Sequence, residues 1–543
     1  MVPIESLDKE GNGVTVIEWD TMQKQIAPTK LLVRGALPGE TVRVRVVSVF
    51  TKGGSAIHEV RLNVFGRREH LIRPRKDTEP WRSTIEPELL PPGHEESRDL
   101  QPFDCPHFNR RHDENACRGC SVPHLNYTRQ IIEKTRLLRD SLKGAVDDGV
   151  RSSLLVEPRS NIKRFAEKVE VFAFSRRPLE TPRWGQLTHQ DPLPGERRNK
   201  YFIETPKCRI MSKSAQAVLS RLSQLVAVQH AESPSLFSVY DEVINRGYLK
   251  SAIIQSCRNR NGEVEVLLSI VTAIEPSPRF RQAIKENIAD RLTSEFPLLK
   301  GVLLVESKPS LRPSDETGHV ELLAGEPTIK TYIESAGREI SLGPHSRMHD
   351  TEVSEKLIAN LCEMIESETS PILELYSGDG SMTGILREIS SDVRSLSDND
   401  LKLLLNEGVN PSSSTPILLP PNEPLDRPPI VRAVEEASHA PNEMTAVVSF
   451  PPSDAGKAEI KGVTPKEFRH WLGNLVRPKR IVIMTDKFDG LRKDIGHMKL
   501  LGYELKSINA FDAKPGVMDR IATIVVMEKK PTYTPLMEGQ LIE

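Results

Sequence analysis

Four cysteines are placed where they could serve a single metal centre: Cys105, Cys117, Cys120 and Cys208. Cys117-Arg-Gly-Cys120 is a CxxC, a spacing at which two thiolates reach one ion from a single turn of chain. Cys105 precedes it by twelve residues and Cys208 follows far downstream. Four soft thiolates suit zinc or an iron–sulfur cluster, and residue type leaves both open. Cys257 and Cys362 sit in apolar stretches and read as core residues. His107, His112 and His124 flank the cysteines and read as surface or packing residues rather than ligands. A second constellation is Glu374-Leu-Tyr-Ser377-Gly378-Asp-Gly380-Ser, where an apolar strand runs into a glycine turn that opens a helix. Glycines at 378 and 380 let the backbone approach a ligand, and Glu374 at the strand end can orient groups there. The spacing is not GxGxxG, so the dinucleotide fingerprint is absent. Asp398, after the next strand, stands where an acid would accept ribose hydroxyls. A third set interleaves cations with aromatics: Arg176, Arg177, Arg197, Arg198 and Lys200 near Phe174, Trp184, Tyr201 and Phe202. Such a mixture suits phosphate contacts combined with base stacking.

These residues need elements to hold them, and the chain is long enough for several domains. It has 543 residues, 38% hydrophobic and 27% charged, so a substantial core is expected. The net charge of −1 argues against a globally basic nucleic-acid binder. It conceals a contrast, however. Residues 151–210 carry 13 lysines and arginines against seven acids, whereas residues 341–450 carry seven against 18. An anionic polymer should approach the first stretch and avoid the second. No apolar run is long enough to cross a membrane. The opening MVPIESLDKEG has neither a secretory apolar region nor an arginine-rich transit pattern.

The patterning predicts an α/β multidomain protein. Residues 1–68 read as short β strands broken at EGNGV, LPGE and KGGS, fitting an OB-like β-barrel. Residues 69–345 read as an α+β central domain that carries the four-cysteine site, with an amphipathic helix from Tyr127. Residues 346–543 alternate helix and strand, the signature of a doubly wound, Rossmann-like sheet. Eight prolines in 411–441 mark an irregular insertion within it.

The order of these pieces resembles the RNA uracil-5-methyltransferase family. The resemblance rests on CPHF…CRGCSVPHLNY, ELYSGDGS, VVSFPPSDAG and RIVIMTD, in that order, after a β-rich start with LPGE. It implies an N-terminal TRAM domain, a [4Fe-4S] cluster on Cys105, Cys117, Cys120 and Cys208, and a domain for S-adenosylmethionine (SAM). On that reading Glu374, Ser377, Gly378, Gly380 and Asp398 line the cofactor. The family's reaction needs a cysteine that adds to C6 of uracil and a glutamate that removes the C5 proton. Here the matching positions are Asp486, in Met484-Thr485-Asp486-Lys487-Phe488, and Ala522, in Arg520-Ile521-Ala522-Thr523. The register is set by Leu491 and Asp494 downstream. The D-P-P-R stretch is replaced by Phe450-Pro451-Pro452-Ser453, and the family's glutamine falls within Leu342-Gly343-Pro344-His345-Ser346. A carboxylate is a poor nucleophile toward a conjugated ring, and alanine cannot take a proton. The sequence therefore predicts a catalytically inactive, methyltransferase-like protein that binds structured RNA (rRNA or tRNA) as a scaffold or ribosome-assembly factor. The alternative is an active SAM-dependent RNA methyltransferase with altered chemistry, attacking through an exocyclic nitrogen or a ribose hydroxyl. An intracellular protein is expected, cytoplasmic or, by analogy with degenerate enzymes recruited to organellar ribosomes, mitochondrial.

Overall fold

The computed structural model describes residues 2–20, 26–34, 36–42, 47–48, 50–51, 58–63, 82–84, 105–108, 117, 119–163, 166–175, 180–189, 200–205, 207–241, 244–307, 319–344, 346, 351–365, 371–375, 380–396, 443–449, 469, 472–473, 477–486 and 488–531. The proline-rich 411–441 stretch and residues 450–453 lie outside these, as do His112 and His345. Among the described residues, no helix is long and apolar enough to cross a membrane.

The chain folds as two compact units, each assembled from separated segments. The first comprises residues 1–138, 185–209 and 514–520. Its main sheet orders the strands Ser6–Leu7, Gly13–Asp20, Ile26–Arg34, His58–Asn63 and Phe50–Thr51. Neighbours are antiparallel except Ile26–Arg34 with His58–Asn63, which run parallel. The N-terminal stretch is thus β-rich as expected. Among the described residues the strand order ends at Ser6–Leu7 and Phe50–Thr51 without closing into a barrel. Leu7, Leu37, Val122, Leu125 and Met518 form this unit's small core, with Leu137 packed against it.

The second unit comprises residues 139–184, 210–513 and 521–543 and holds two sheets. One contains Lys168–Phe174, Leu249–Arg258, Val264–Thr272, Leu299–Glu306 and Val320–Gly325 in that order. All pairs are antiparallel except Val264–Thr272 with Leu299–Glu306. The connection between those two strands is a helical run, Pro278–Ile284 through Asp290–Glu295, capped by Ser277 with proline at its first position. Both choices satisfy or remove orphan N–H groups at a helix start.

The other sheet orders Val156–Glu157, Tyr503–Asp512, Ile521–Lys529, Arg480–Thr485, Thr445–Ser449, Ile372–Leu375 and Val393–Leu396. The last four are mutually parallel, and Ile521–Lys529 runs antiparallel to both of its neighbours. Strand order reverses beside Ile372–Leu375: the chain steps first to Val393–Leu396 on one side, then to Thr445–Ser449 on the other. In an open parallel sheet such a switch point leaves a crevice at the carboxyl ends of the strands. Helix Thr351–Ile365 buries Val353, Leu357, Ile358, Leu361, Cys362 and Ile365, a 3.6-residue period, into the unit's core. Cys257 and Cys362 both lie in that core, as their apolar contexts predict.

Candidate functional site

At the switch point, strand Ile372–Leu375 delivers Glu374 to a fully buried position. Its carboxyl accepts from Thr383 Oγ1 at 2.5 Å, Ser395 Oγ at 2.8 Å and Ser449 Oγ at 3.5 Å. These hydroxyls come from three elements: helix Ser381–Ile389 and strands Val393–Leu396 and Thr445–Ser449. Burial pushes Glu374 up to about 7, and the three hydroxyls and Arg387 hold it from rising further. Gly380, at φ +82°, caps helix Ser381–Ile389 in the left-handed region that favours glycine. The start of this helix leaves its first N–H groups outside the helical ladder, an environment suited to an anionic group. Ser381 Oγ lies 3.3 Å from Ser346 Oγ in a buried contact. Lys168 Nζ donates to the carbonyls of Pro344 and Ser346 at 3.0 and 2.8 Å, fixing that segment beside the helix. Ser377, Gly378 and Asp398 lie outside the described residues.

The neighbouring strand ends are built differently. Thr485 pairs with Thr523, and Thr523 Oγ1 donates to the Thr485 carbonyl at 3.4 Å. Continuing that antiparallel register by one residue sets Asp486 opposite Ala522. The two positions singled out by resemblance are thus cross-strand neighbours at the end of the ladder. Ala522 is completely buried in the core, whereas Asp486 is half-buried. Behind them Asp494 is bound by Arg469, and burial pushes its carboxyl up against that ion pair.

The cysteine segments meet in the first unit. Cys117 N–H donates to the His107 carbonyl at 2.7 Å, and Phe108 N–H to the Cys105 carbonyl at 3.2 Å. His107 Nε2 accepts from Lys207 N–H at 3.3 Å, next to Cys208. His107 therefore ties together the segments bearing Cys105, Cys117 and Cys208. His124 is buried and stacked on Phe108, with centroids 5.1 Å apart. None of the four cysteines is in a disulfide, and all are partly exposed. Burial pushes Cys120 up to about 12 and also raises Cys117; the other thiols of the set add to both rises, and Lys514 opposes them. The donor set has the chemistry of a soft-metal site. Among the described residues, though, no group of three or more His, Cys, Asp or Glu stands arranged to hold a metal ion. Arg176, Arg177, Arg197 and Arg198 lie outside the described residues. Lys200 opens strand Lys200–Glu204, paired with Arg183–His189.

Sequence reasoning missed the hydroxyls around Glu374, the Lys168–Ser346–Ser381 connection and a clamp on residues 514–520. That clamp consists of a fully buried Lys134, whose Nζ donates to the carbonyls of Lys514 and Arg520, together with Gln130. A lysine in the apolar rhythm of helix Tyr127–Ser141 was the one available signal.

No protein-family model matches the chain. An uncharacterized RNA methyltransferase of Clostridium acetobutylicum is 23% identical over 420 residues, covering 76% of this chain and 82% of that protein. The 23S rRNA (uracil(1939)-C(5))-methyltransferase RlmD of an Azoarcus species is 26% identical over 227 residues, 41% of this chain and 39% of that one. The crystal structure of Pyrococcus abyssi tRNA (uracil-54, C5)-methyltransferase with S-adenosyl-L-homocysteine matches with a TM-score of 0.55 at 16% identity. It covers 97% of this chain and 99% of that one. The fold is therefore the Rossmann-like fold of SAM-dependent methyltransferases, and the chain's relatives are named RNA methyltransferases.

Proposed function

We propose that this protein is a SAM-dependent RNA methyltransferase acting on structured RNA, rRNA or tRNA, by a route other than the cysteine adduct. The observation that carries this reading is the Glu374 hydroxyl cluster and Gly380-capped helix at the switch point of the sheet, in a chain similar over most of its length to RNA methyltransferases. Glu374 orders the strand end and the helix start through hydroxyls on three elements. The helix that Gly380 opens would offer its first backbone N–H groups to the ligand, and Lys168 holds Pro344 and Ser346 against that helix. SAM, when bound, supplies an electrophilic methyl. The acceptor would then be an exocyclic nitrogen or a ribose hydroxyl, whose lone pair displaces S-adenosylhomocysteine from the methyl and whose proton passes to water, because position 486 offers no thiol and position 522 no base.

Ala522 and Asp486 favour a second reading, in which the fold binds RNA without transfer and serves as a scaffold in ribosome assembly. The N-terminal TRAM-like module and the 176–200 cations would then contact RNA, and Cys105, Cys117, Cys120 and Cys208 would hold a [4Fe-4S] cluster in either case. Support for the cluster comes from the four cysteine residue types in one unit and the His107 ties between the segments of Cys105, Cys117 and Cys208. Calorimetry with SAM, run beside tritium transfer from labelled SAM to total RNA, separates the readings. Binding with transfer is expected. Binding without transfer supports the scaffold, and no binding overturns the methyltransferase proposal.

A further inference from the structure

Within the second unit, the connection from strand Arg338–Leu342 to helix Thr351–Ile365 is held at both ends by two consecutive residues of another sheet, Glu167 and Lys168. Lys168 opens strand Lys168–Phe174, and its Nζ donates to the Pro344 carbonyl at 3.0 Å and the Ser346 carbonyl at 2.8 Å. The Glu167 carboxylate takes the other end, accepting from the Thr351 N–H at 2.8 Å and the Thr351 hydroxyl at 2.9 Å. Thr351 begins its helix, so the carboxylate satisfies an orphan N–H and meets the positive end of the helix dipole. The backbone carrying the pair is itself pinned. Ala166 N–H donates to the Ile210 carbonyl at 2.9 Å, Ser256 N–H donates to the Glu167 carbonyl at 2.7 Å, and Lys168 stands in register with Gln255. Ser346 carries the hold onward: it is buried, and its hydroxyl lies 3.3 Å from that of Ser381, also buried. Ser381 is the first residue of helix Ser381–Ile389, directly after the left-handed Gly380, and Thr383 two residues on donates to Glu374. The far end of this helix is held separately, by the Arg338–Glu388 ion pair.

Hydrogen bonds with one charged partner are stronger than neutral ones and cost more to leave unmade. Here four of them, two from an ammonium and two to a carboxylate, converge on Pro344, Ser346 and Thr351, and Ser346 meets the start of the helix beside Glu374. We propose that Glu167 and Lys168 are positioning residues for the methyl-donor site. Lys168 sets Ser346, and through it Ser381, so that the first N–H groups of helix Ser381–Ile389 keep the place a bound cofactor requires. Glu167 fixes the other end of the same connection. Neither residue touches the cofactor; both act through the serines and the helix start. The proposal rests on the SAM reading above and adds to it that affinity for SAM is set in part from the neighbouring sheet, at the strand that Lys168 opens. A small displacement of a binding group is enough to weaken a site that works by pre-organisation, so residues at this remove can matter to affinity.

The test measures SAM dissociation constants by calorimetry on the full-length wild type, Lys168→Met, Lys168→Arg, Ser346→Ala and the double variant Lys168→Met with Ser346→Ala. Lys168→Met is expected to weaken binding about tenfold, the size of one lost charge-assisted hydrogen bond. Lys168→Arg, which keeps donors for both carbonyls, is expected to restore it. The double variant should bind no more weakly than the weaker single variant, because both changes break one chain of contacts. An unchanged affinity in Lys168→Met, or losses that multiply in the double variant, overturn the proposal. A wild type that binds no SAM defeats the methyltransferase reading alone. The positioning is then read on the cofactor-free proteins by hydrogen–deuterium exchange and mass spectrometry. Faster exchange at the start of helix Ser381–Ile389 in Lys168→Met, with strand Ile521–Lys529 unchanged, supports the proposal. Equal exchange at the helix start, or a uniform rise across the molecule, sinks it.

Discussion

The strand ends on either side of Thr445–Ser449 belong to one sheet, yet they are furnished for different work. At the Ile372–Leu375 end a buried carboxyl is bonded by three hydroxyls from three elements, and a left-handed glycine starts the next helix. At the Arg480–Thr485 and Ile521–Lys529 end, the corresponding inward positions are threonines and a sealed alanine. The first end is a polar, pre-ordered place. The second is packed as core up to its last ladder pair, and its completely buried carboxyl is Asp512, paired with Ile521 on the adjacent strand. On the proposed function, the first end is the one that would hold the cofactor.

The comparison breaks if position 522 is less sealed than its burial implies. Ala522→Glu restores the carboxylate that the resemblance expects. With Ala522 completely buried, the new group must be desolvated or must force the ladder open. A loss of about 3–4 kcal/mol in urea denaturation is expected. A cost near zero would mean that the site opens to water, and the two strand ends would then be more alike than described here.

Glu374 sharpens the other side. Its carboxyl titrates near 7 when folded and near 4.5 when unfolded. The unfolded chain therefore releases its proton first as pH rises. The stability contributed by the protonated form is fully present below pH 4.5 and lost between 4.5 and about 7, with no further change above. The loss is on the order of 3 kcal/mol as an upper bound. Thermal melts of Glu374→Gln should be flatter than the wild type across that window. Glu374→Ala, which leaves a cavity and deprives three hydroxyls of their acceptor, should cost about 2 kcal/mol at pH 7 and weaken SAM binding more than tenfold by calorimetry.

How much of this was readable in residue order differs between the two ends and between the two units. ELYSGDGS exposes its strand, turn and helix because apolar run, glycines and helix formers are contiguous. Thr383, Ser395 and Ser449 were invisible as partners of Glu374, because only strand register brings them to one carboxyl. The same holds for the first unit. Residues 514–520 lie near the end of the chain, and nothing local in KPGVMDR indicates that it packs on Cys120. The Asp486 and Ala522 positions were reached through resemblance, and the ladder then supplied the physical link, one register step beyond Thr485 and Thr523. The charge contrast between 151–210 and 341–450 was legible at once, but a charge count does not place side chains.

A smaller effect is expected behind the second strand end. Arg469 holds the half-buried Asp494, the residue that fixes the register of this region. Arg469→Met leaves that carboxyl without its ion pair in a partly desolvated place. A loss of about 1–2 kcal/mol in urea denaturation is expected, less than for a fully buried pair because both groups retain some exposure. An unchanged midpoint would mean that water already satisfies Asp494.

The smallest predicted effect is the most discriminating between the two ends. Asp486 is half-buried at the close of its strand, whereas the proposed SAM site is organised at Glu374 and Gly380 two strands away. Asp486→Asn keeps the shape and removes the charge. If the crevice alone holds the cofactor, the SAM dissociation constant should change less than twofold, because a single charge at that separation is largely screened at physiological ionic strength. Methyl transfer to RNA is the second readout. Transfer that falls sharply in Asp486→Asn at unchanged SAM affinity would give the carboxylate a part in the reaction, aligning or accepting from the RNA nucleophile. Transfer that persists would leave the acceptor's own nucleophilicity, together with the methyl donor, sufficient for the chemistry.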